Sequence, residues 1–333
     1  MKRSWRSRTL RQILAADDIS KEPALLHAEQ SNTSLVFGKS FLLKLIRKVE
    51  PGRHPDVEIS RFLSERQNFE RMPRVLGTLE FSDGDGEPMV LGILQSFVQN
   101  EGDAWHYTLD VLGNFLERAA ADEQHKPPKM DLSLSGLLNL VAHEPALQEE
   151  SFQKAHIGPY LESARLLGQR TAELHLALTA DAEDPEFSPE PFTPFYQRSI
   201  YQSIHSQIFH SIRMLRFAAQ RLPEAIQQQA GQVLASEPEI LKRLQLLIAH
   251  KLNTVRIRHH GDYHLGQVLY TGKDFYIIDF EGQPARPLSE RLIKRSPLRD
   301  VAGMLRSFNY ASRAVLFGKV SGSSVRPQDI AVL

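Results

Sequence analysis

The chain contains no cysteine among its 333 residues. That excludes disulfides, thiolate metal sites and a cysteine nucleophile together, and it fits a reducing cytoplasm. Net charge is also missing, with 40 basic residues against 40 acidic ones. A balanced chain offers no broad basic face for nucleic acid or an anionic membrane. No apolar run approaches the roughly 18 residues of a membrane span. A glycine-rich G-x-G-x-x-G phosphate loop is absent, and there is no internal repeat. Hydrophobic content of 41% and charged content of 24% describe an ordinary globular protein, long enough for two lobes. The opening "MKRSWRSRTLRQIL" carries no acid before Asp17 and no secretory h-region follows it. It reads as a basic amphipathic helix with Trp5, Leu10, Ile13 and Leu14 on one side, with a transit peptide as the lesser alternative.

Residues 33–46 read as two strands joined by Gly38-Lys39, a hairpin signal. "DVEISRFLSER" reads as a helix capped by Asp56, with Ile59, Phe62 and Leu63 inward. "RVLGTLEF" and "PMVLGILQSFV" form a second strand pair around "SDGDGE". After Gln99 the pattern turns helical, interrupted by a proline-rich connector at "DAEDPEFSPEPFTP" and by short strands at "TVRIRH", "QVLY" and "FYIID". The final helix lies around "RDVAGMLRSFNYASRAVLF". The expected class is α+β and two-lobed. An N-terminal lobe, 1–99, carries a small sheet and one helix, and a helical lobe, 100–333, embeds a hairpin.

That hairpin separates two polar turns. His260-Gly261-Asp262 precedes it and Asp279-Phe280-Glu281 follows it, so folding brings the turns to one edge. Phosphoryl transfer from ATP needs such a place: one carboxylate for the attacking hydroxyl, and a carboxylate plus an amide oxygen for Mg²⁺. Gln267 stands five residues after Asp262, the interval of the kinase catalytic loop. Lys44, flanked by Leu43 and Leu45, points off their face of its strand, and Glu58 lies on the next helix. A Lys44–Glu58 pair would aim the ammonium at phosphates. In place of a glycine-rich loop, Ser31, Asn32 and Thr33 of "QSNTS", or the Gly38-Lys39 turn, would cover them. His260 and His264 read as metal ligands or as hydrogen-bonded structural groups.

The stretches "HGDYHLGQVL", "FYIIDFEGQPARPLSER" and "SPLRDVAGMLRSFNYA" resemble the maltokinases, in the aminoglycoside-phosphotransferase-like group of the protein-kinase-like fold. The likeness continues in "AEQSNTSLVFGKSFLLKLIRKVEPGRHPDVEISRFL" and "PFYQRSIYQS", over roughly residues 25–325. It implies ATP-dependent phosphorylation of maltose to maltose 1-phosphate in the cytoplasm, linking trehalose and maltose to α-glucan (glycogen) metabolism, with Mg²⁺ as cofactor. Trehalose synthase is the implied partner, fused or associated. The resemblance makes Asp262 the base, Gln267 and Asp279 the Mg²⁺ ligands, and Lys44 with Glu58 the phosphate contacts. It gives Asp300 a bracing role on the catalytic loop through backbone amides; a carboxylate at a helix start is the alternative. Glu281, Gln283, Arg286 and Tyr263 are the candidate sugar contacts. The family pattern reads D-F-E-G-E-P, and Gln283 replaces its second glutamate. Only 54 residues follow Asp279, fewer than in the family, so a shortened C-terminus is expected. Another hydroxyl acceptor, or a catalytically silent partner of the synthase, are the competing readings.

Overall fold

The computed structural model describes residues 2–7, 10, 22–26, 32–82, 86–121 and 152–317. Six antiparallel strands make the principal sheet: β1 (Lys2–Arg6), β2 (Pro23–Leu26), β3 (Thr33–Phe37), β4 (Phe41–Leu45), β5 (Val75–Phe81) and β6 (Met89–Ser96), in the order β1-β5-β6-β4-β3-β2. The β3–β4 hairpin turns at Gly38, whose φ of +58° a glycine adopts without steric cost. The expected N-terminal helix is corrected over its first half: Lys2–Arg6 is a strand, paired with β5 from Lys2↔Phe81 to Arg6↔Gly77, while Leu10 is helical. The open ladder of β5 offers a pairing that local periodicity cannot register. Leu10 is buried with Phe41 and Leu76, whereas Ile13 and Leu14 lie outside the described residues.

Helix α1 (Pro55–Arg61) starts on a proline preset for a helix start and runs on into a π turn at Phe62–Arg66. His54, not Asp56, holds the cap position. Asp56 sits in the first turn with its side chain buried. Val57 joins Ile46, Val75, Val90 and Ile93 in the core between helix and sheet. Phe62 stacks on Phe187 at 3.7 Å.

Two compact units emerge. One comprises Met1–Phe187, Arg258–Ile293 and Pro297–Leu333; the other comprises Ser188–Ile257 and Lys294–Ser296. Beyond the sheet, the first unit contains α2 (Ala104–Ala121), α3 (Phe152–Ala177), the hairpin β9 (Val268–Tyr270) and β10 (Phe275–Ile277), α7 (Leu288–Arg291) and α8 (Leu298–Leu316). The second unit contains α4 (Pro194–Ala219), α5 (Glu224–Ala235) and α6 (Glu237–Ala249), with a two-residue pairing of β7 (Glu190–Pro191) and β8 (Val255–Arg256). Gln197 is buried there and donates to the carbonyls of Leu247 (2.5 Å) and His250 (2.6 Å), fastening α4 to the end of α6. Residues 223–252, which read as one long helix, break at Ser236, because Pro238 supplies no N–H and belongs in a first turn. Among the described residues no helix is long and apolar enough to cross a membrane.

Candidate active site

All of the candidate site falls in the first unit. Lys44 stands on β4 opposite Ser34 and Ile93, buried to 3% exposure. Its ammonium meets two carboxylates, Asp56 at 3.2 Å and Asp279 in a shorter contact. Burial disfavours the charge, but Asp279, Asp56 and Glu281 outweigh it and hold Lys44 well above the ordinary lysine pKa. The Lys44–Glu58 pair is therefore corrected to Lys44–Asp56. Residues 56 and 58 lie about 200° apart around a helix of 3.6 residues per turn, so they serve opposite faces. Glu58 pairs instead with Arg258 at 2.6 Å and Arg53 at 3.2 Å.

Asp56 is fully enclosed. One oxygen accepts from Lys44; the other accepts from Ser60 Oγ (3.1 Å) and the amide of Phe280 (3.3 Å). Burial alone would raise its pKa, yet the Lys44 charge and these bonds hold it below the ordinary carboxylate value.

The hairpin is folded back by Gly272, with φ +83° at its turn. Its register pairs Val268 with Ile277, which sets the loop before β9 beside the residues after β10. Gln267 Nε2 donates to Asp279 at 3.1 Å. The His260 ring bonds the carbonyl of Ile278 at 2.9 Å, so Nε2 carries the proton, and Nδ1 faces the amide of Asp262. A Cβ on Gly261 would lie 3.3 Å from the Cα of Gly282, a measure of how closely the two loops approach. Asp279 takes a left-handed backbone, with φ +68°. His264 accepts the Gly266 amide, a local cap, which places it among structural groups.

Asp300, in the first turn of α8, is 1% exposed. Its carboxylate accepts the backbone amides of His260 (2.9 Å) and Gly261 (3.0 Å), and His175 Nε2 at 3.0 Å. Burial opposes its ionisation, but the His175 bond and the nearby His259 and His260 bring its pKa down to about 2.

The remaining residues divide. Asn32 is buried and donates to Glu281 at 3.1 Å. Thr33 begins β3 next to it; Ser31 lies outside the described residues. Burial, first, raises the Glu281 pKa above its ordinary value. Arg286 donates to Gln283 (2.9 Å) and pairs with Glu290 (3.1 Å). Tyr263 is corrected as a sugar contact. It is buried to 3%, and its hydroxyl bonds Thr171 at 2.9 Å rather than facing a cleft. Asp56, Arg258 and His175 are the residues sequence reasoning missed. Asp56 was legible as an acid in a first turn; Arg258 and His175 carry no local signal.

A divalent cation would compete here with the bonds that Asp279 now makes to Lys44 and to Gln267 Nε2. The Asp279 carboxylate and the Gln267 amide offer the hard oxygens that Mg²⁺ prefers. Among the described residues no three acidic or histidine groups gather into a metal cluster.

No family model matches the chain. It is 24% identical over 300 residues to a glucosamine kinase of Streptacidiphilus jiangxiensis, covering 87% of this chain and 54% of that protein. It is 21% identical over 310 residues to a glucosamine kinase of Mycolicibacterium smegmatis, covering 93% and 61%. The chain thus spans little more than half the length of the curated relatives it matches. A solved glucosamine kinase in complex with glucosamine, ADP and inorganic phosphate superposes with a TM-score of 0.59 at 22% identity, over 93% of this chain and 64% of that one. A second crystal form gives 0.61 at 20% identity, over 99% and 65%. The fold is two-lobed and kinase-like. An N-terminal antiparallel sheet delivers Lys44, and the mostly helical remainder delivers the hairpin with Asp262, Gln267 and Asp279.

Proposed function

We propose that the chain transfers a phosphoryl group from ATP to a hydroxyl of a small sugar. The observation that carries this is one partly buried assembly, Lys44 against Asp279 with Gln267 beside it, next to the loop that bears Asp262. Lys44, aimed by Asp56, contacts the nucleotide phosphates. Asn32, Thr33 and Ser31 cover them. Asp262 orients the acceptor hydroxyl and takes its proton. Asp279 and Gln267 would hold Mg²⁺, which when bound offsets the negative charge of the phosphates. To do so, Gln267 must present its amide oxygen in place of the Nε2 that now faces Asp279. Asp300 fixes the loop behind Asp262. The lobe boundary near residue 99 belongs to the same reading.

Maltose is the acceptor implied by the likeness in "DFEGQPARPLSER". Glucosamine is the acceptor in the names of the relatives. Both present a hydroxyl ring that Glu281, Gln283 and Arg286 suit by type. An ADP-release assay with Mg²⁺ over maltose, glucosamine, glucose, trehalose, choline and kanamycin decides among them. Turnover highest on a sugar supports the reading, and the higher of maltose and glucosamine names the acceptor. Turnover highest on kanamycin or choline, or no ATP consumption with any of the six, overturns it.

A further inference from the structure

The loop His260–Leu265 is held from behind by two helices. On α8, Asp300, Gly303 and Ser307 recur at i, i+3 and i+7, one stripe of a helix. Asp300 takes the amides of His260 and Gly261, and Ser307 Oγ accepts the amide of Leu265 at 3.1 Å. Between them the Tyr263 carbonyl lies so close that a Cβ on Gly303 would be 2.7 Å from its oxygen. On α3, Thr171 and His175 stand one turn apart. Thr171 donates to the Leu167 carbonyl at 2.8 Å, so the Tyr263 hydroxyl is the donor in their shared bond. His175 Nε2, facing a carboxylate, is the donor to Asp300.

The Oδ2 atom of Asp300 therefore receives two N–H groups, from His260 and from His175. Because one oxygen serves both donors, rotation of the carboxylate about its last bond displaces Oδ2 from both at once. With His175 in place, only one rotamer satisfies every donor. Without it, only the two loop amides hold the carboxylate, one on each oxygen, and its anchor to α3 is lost.

We propose that His175 is a positioning residue: it fixes the rotamer of Asp300, which fixes the backbone of His260 and Gly261 and so the aim of Asp262. The last clause rests on the phosphotransferase reading; the first two do not. Hydrogen exchange of the peptide covering residues 257–265 tests them without any activity. His175→Leu keeps the bulk but donates nothing. It is expected to speed exchange in that peptide by about tenfold, the size of losing one hydrogen bond to a charged group. Exchange in the β3–β4 hairpin should stay unchanged. His175→Gln can extend an amide N–H to Asp300 and should restore most of the protection. In the same variants, turnover should fall about tenfold in His175→Leu while the KM for ATP moves less than twofold, and His175→Gln should recover most of it. If His175→Leu loosens every peptide, His175→Asn, polar but too short to reach Asp300, is read in its place with the same expectation. Wild-type exchange at 257–265 in His175→Leu, or a Gln variant as loose as the Leu variant, overturns the proposal. Local loosening in a protein that turns over no acceptor keeps His175 as the brace and removes only the phosphotransferase reading.

Discussion

Asp56 accepts the backbone amide of Phe280 at 3.3 Å, although 224 residues separate them. The same carboxylate holds Lys44. Helix α1 is thus tied at once to the lysine of β4 and to the residue after Asp279.

This tie distinguishes the two acids of α1. Asp56→Ala removes one partner of a buried pair and should cost about 3–5 kcal/mol of stability. It should also raise the KM for ATP, because Lys44 loses its aim. Glu58→Gln leaves Arg258 with an amide in place of a carboxylate and should cost about 1–3 kcal/mol, with the KM for ATP within twofold. Denaturant melts and steady-state kinetics on both variants check this. A larger KM effect from Glu58→Gln would return Glu58 to the phosphate site.

His54 supplies a pH dependence. Burial, joined by the positive charges of Lys44 and Arg291, outweighs the carboxylates of Asp56 and Asp279 and lowers its pKa to about 4. Its Nδ1 has no hydrogen-bond partner. In the unfolded chain the ring takes a proton near pH 6.5; in the folded chain it resists until about 4. The unfolded state binds more protons in that window, so stability is full above pH 6.5 and falls on acidification toward 4. The total is about 3 kcal/mol. His54→Phe should reduce the slope of the stability curve between pH 6.5 and 5, leaving the smaller part that His264, whose pKa burial also lowers, supplies in the same direction. An unchanged slope would show that His54 is not the group responsible.

Gly303 tests the close approach of α8 to the loop. In Gly303→Ala the new methyl meets a backbone oxygen, which cannot rotate away. We expect a loss of about 1–3 kcal/mol from overpacking, against the gain in helix propensity that the same change gives elsewhere. Turnover should fall with it. A stabilised, fully active variant would mean that the loop has room to move.

Asp262→Asn preserves shape and removes basicity. It should reduce turnover by about 10²–10⁴ while nucleotide binding, followed by calorimetry, stays near that of the parent chain. Near-normal turnover would take Asp262 out of the proton-accepting role.

Much of this arrangement is written locally. Alternating leucines around Lys44 fix its face of β4, and the turn at Thr271-Gly272-Lys273 brings residues 262 and 279 to one edge, so both are legible from short stretches of sequence. The β1–β5 pairing is not, since β1 has no pattern of its own that separates strand from helix. The choice of Asp56 over Glu58 depends on which side of α1 meets the sheet, a tertiary fact. His175 and Asp300 lie 125 residues apart, and no periodicity links them. Tyr263 was placed toward a sugar by its type and neighbourhood; its Thr171 partner, 92 residues earlier, turns it inward.

The left-handed backbone at Asp279 narrows the alphabet available there. A side chain with a Cβ costs about 1–2 kcal/mol in that conformation, with asparagine and aspartate the least penalised after glycine. Of those three, only aspartate brings a negative charge to Lys44. Position 279 is therefore doubly determined, by shape and by electrostatics, and an alanine there confounds the two. Replacement by asparagine removes the charge alone, and replacement by glycine removes the side chain while easing the backbone, so the pair separates what a single truncation would merge.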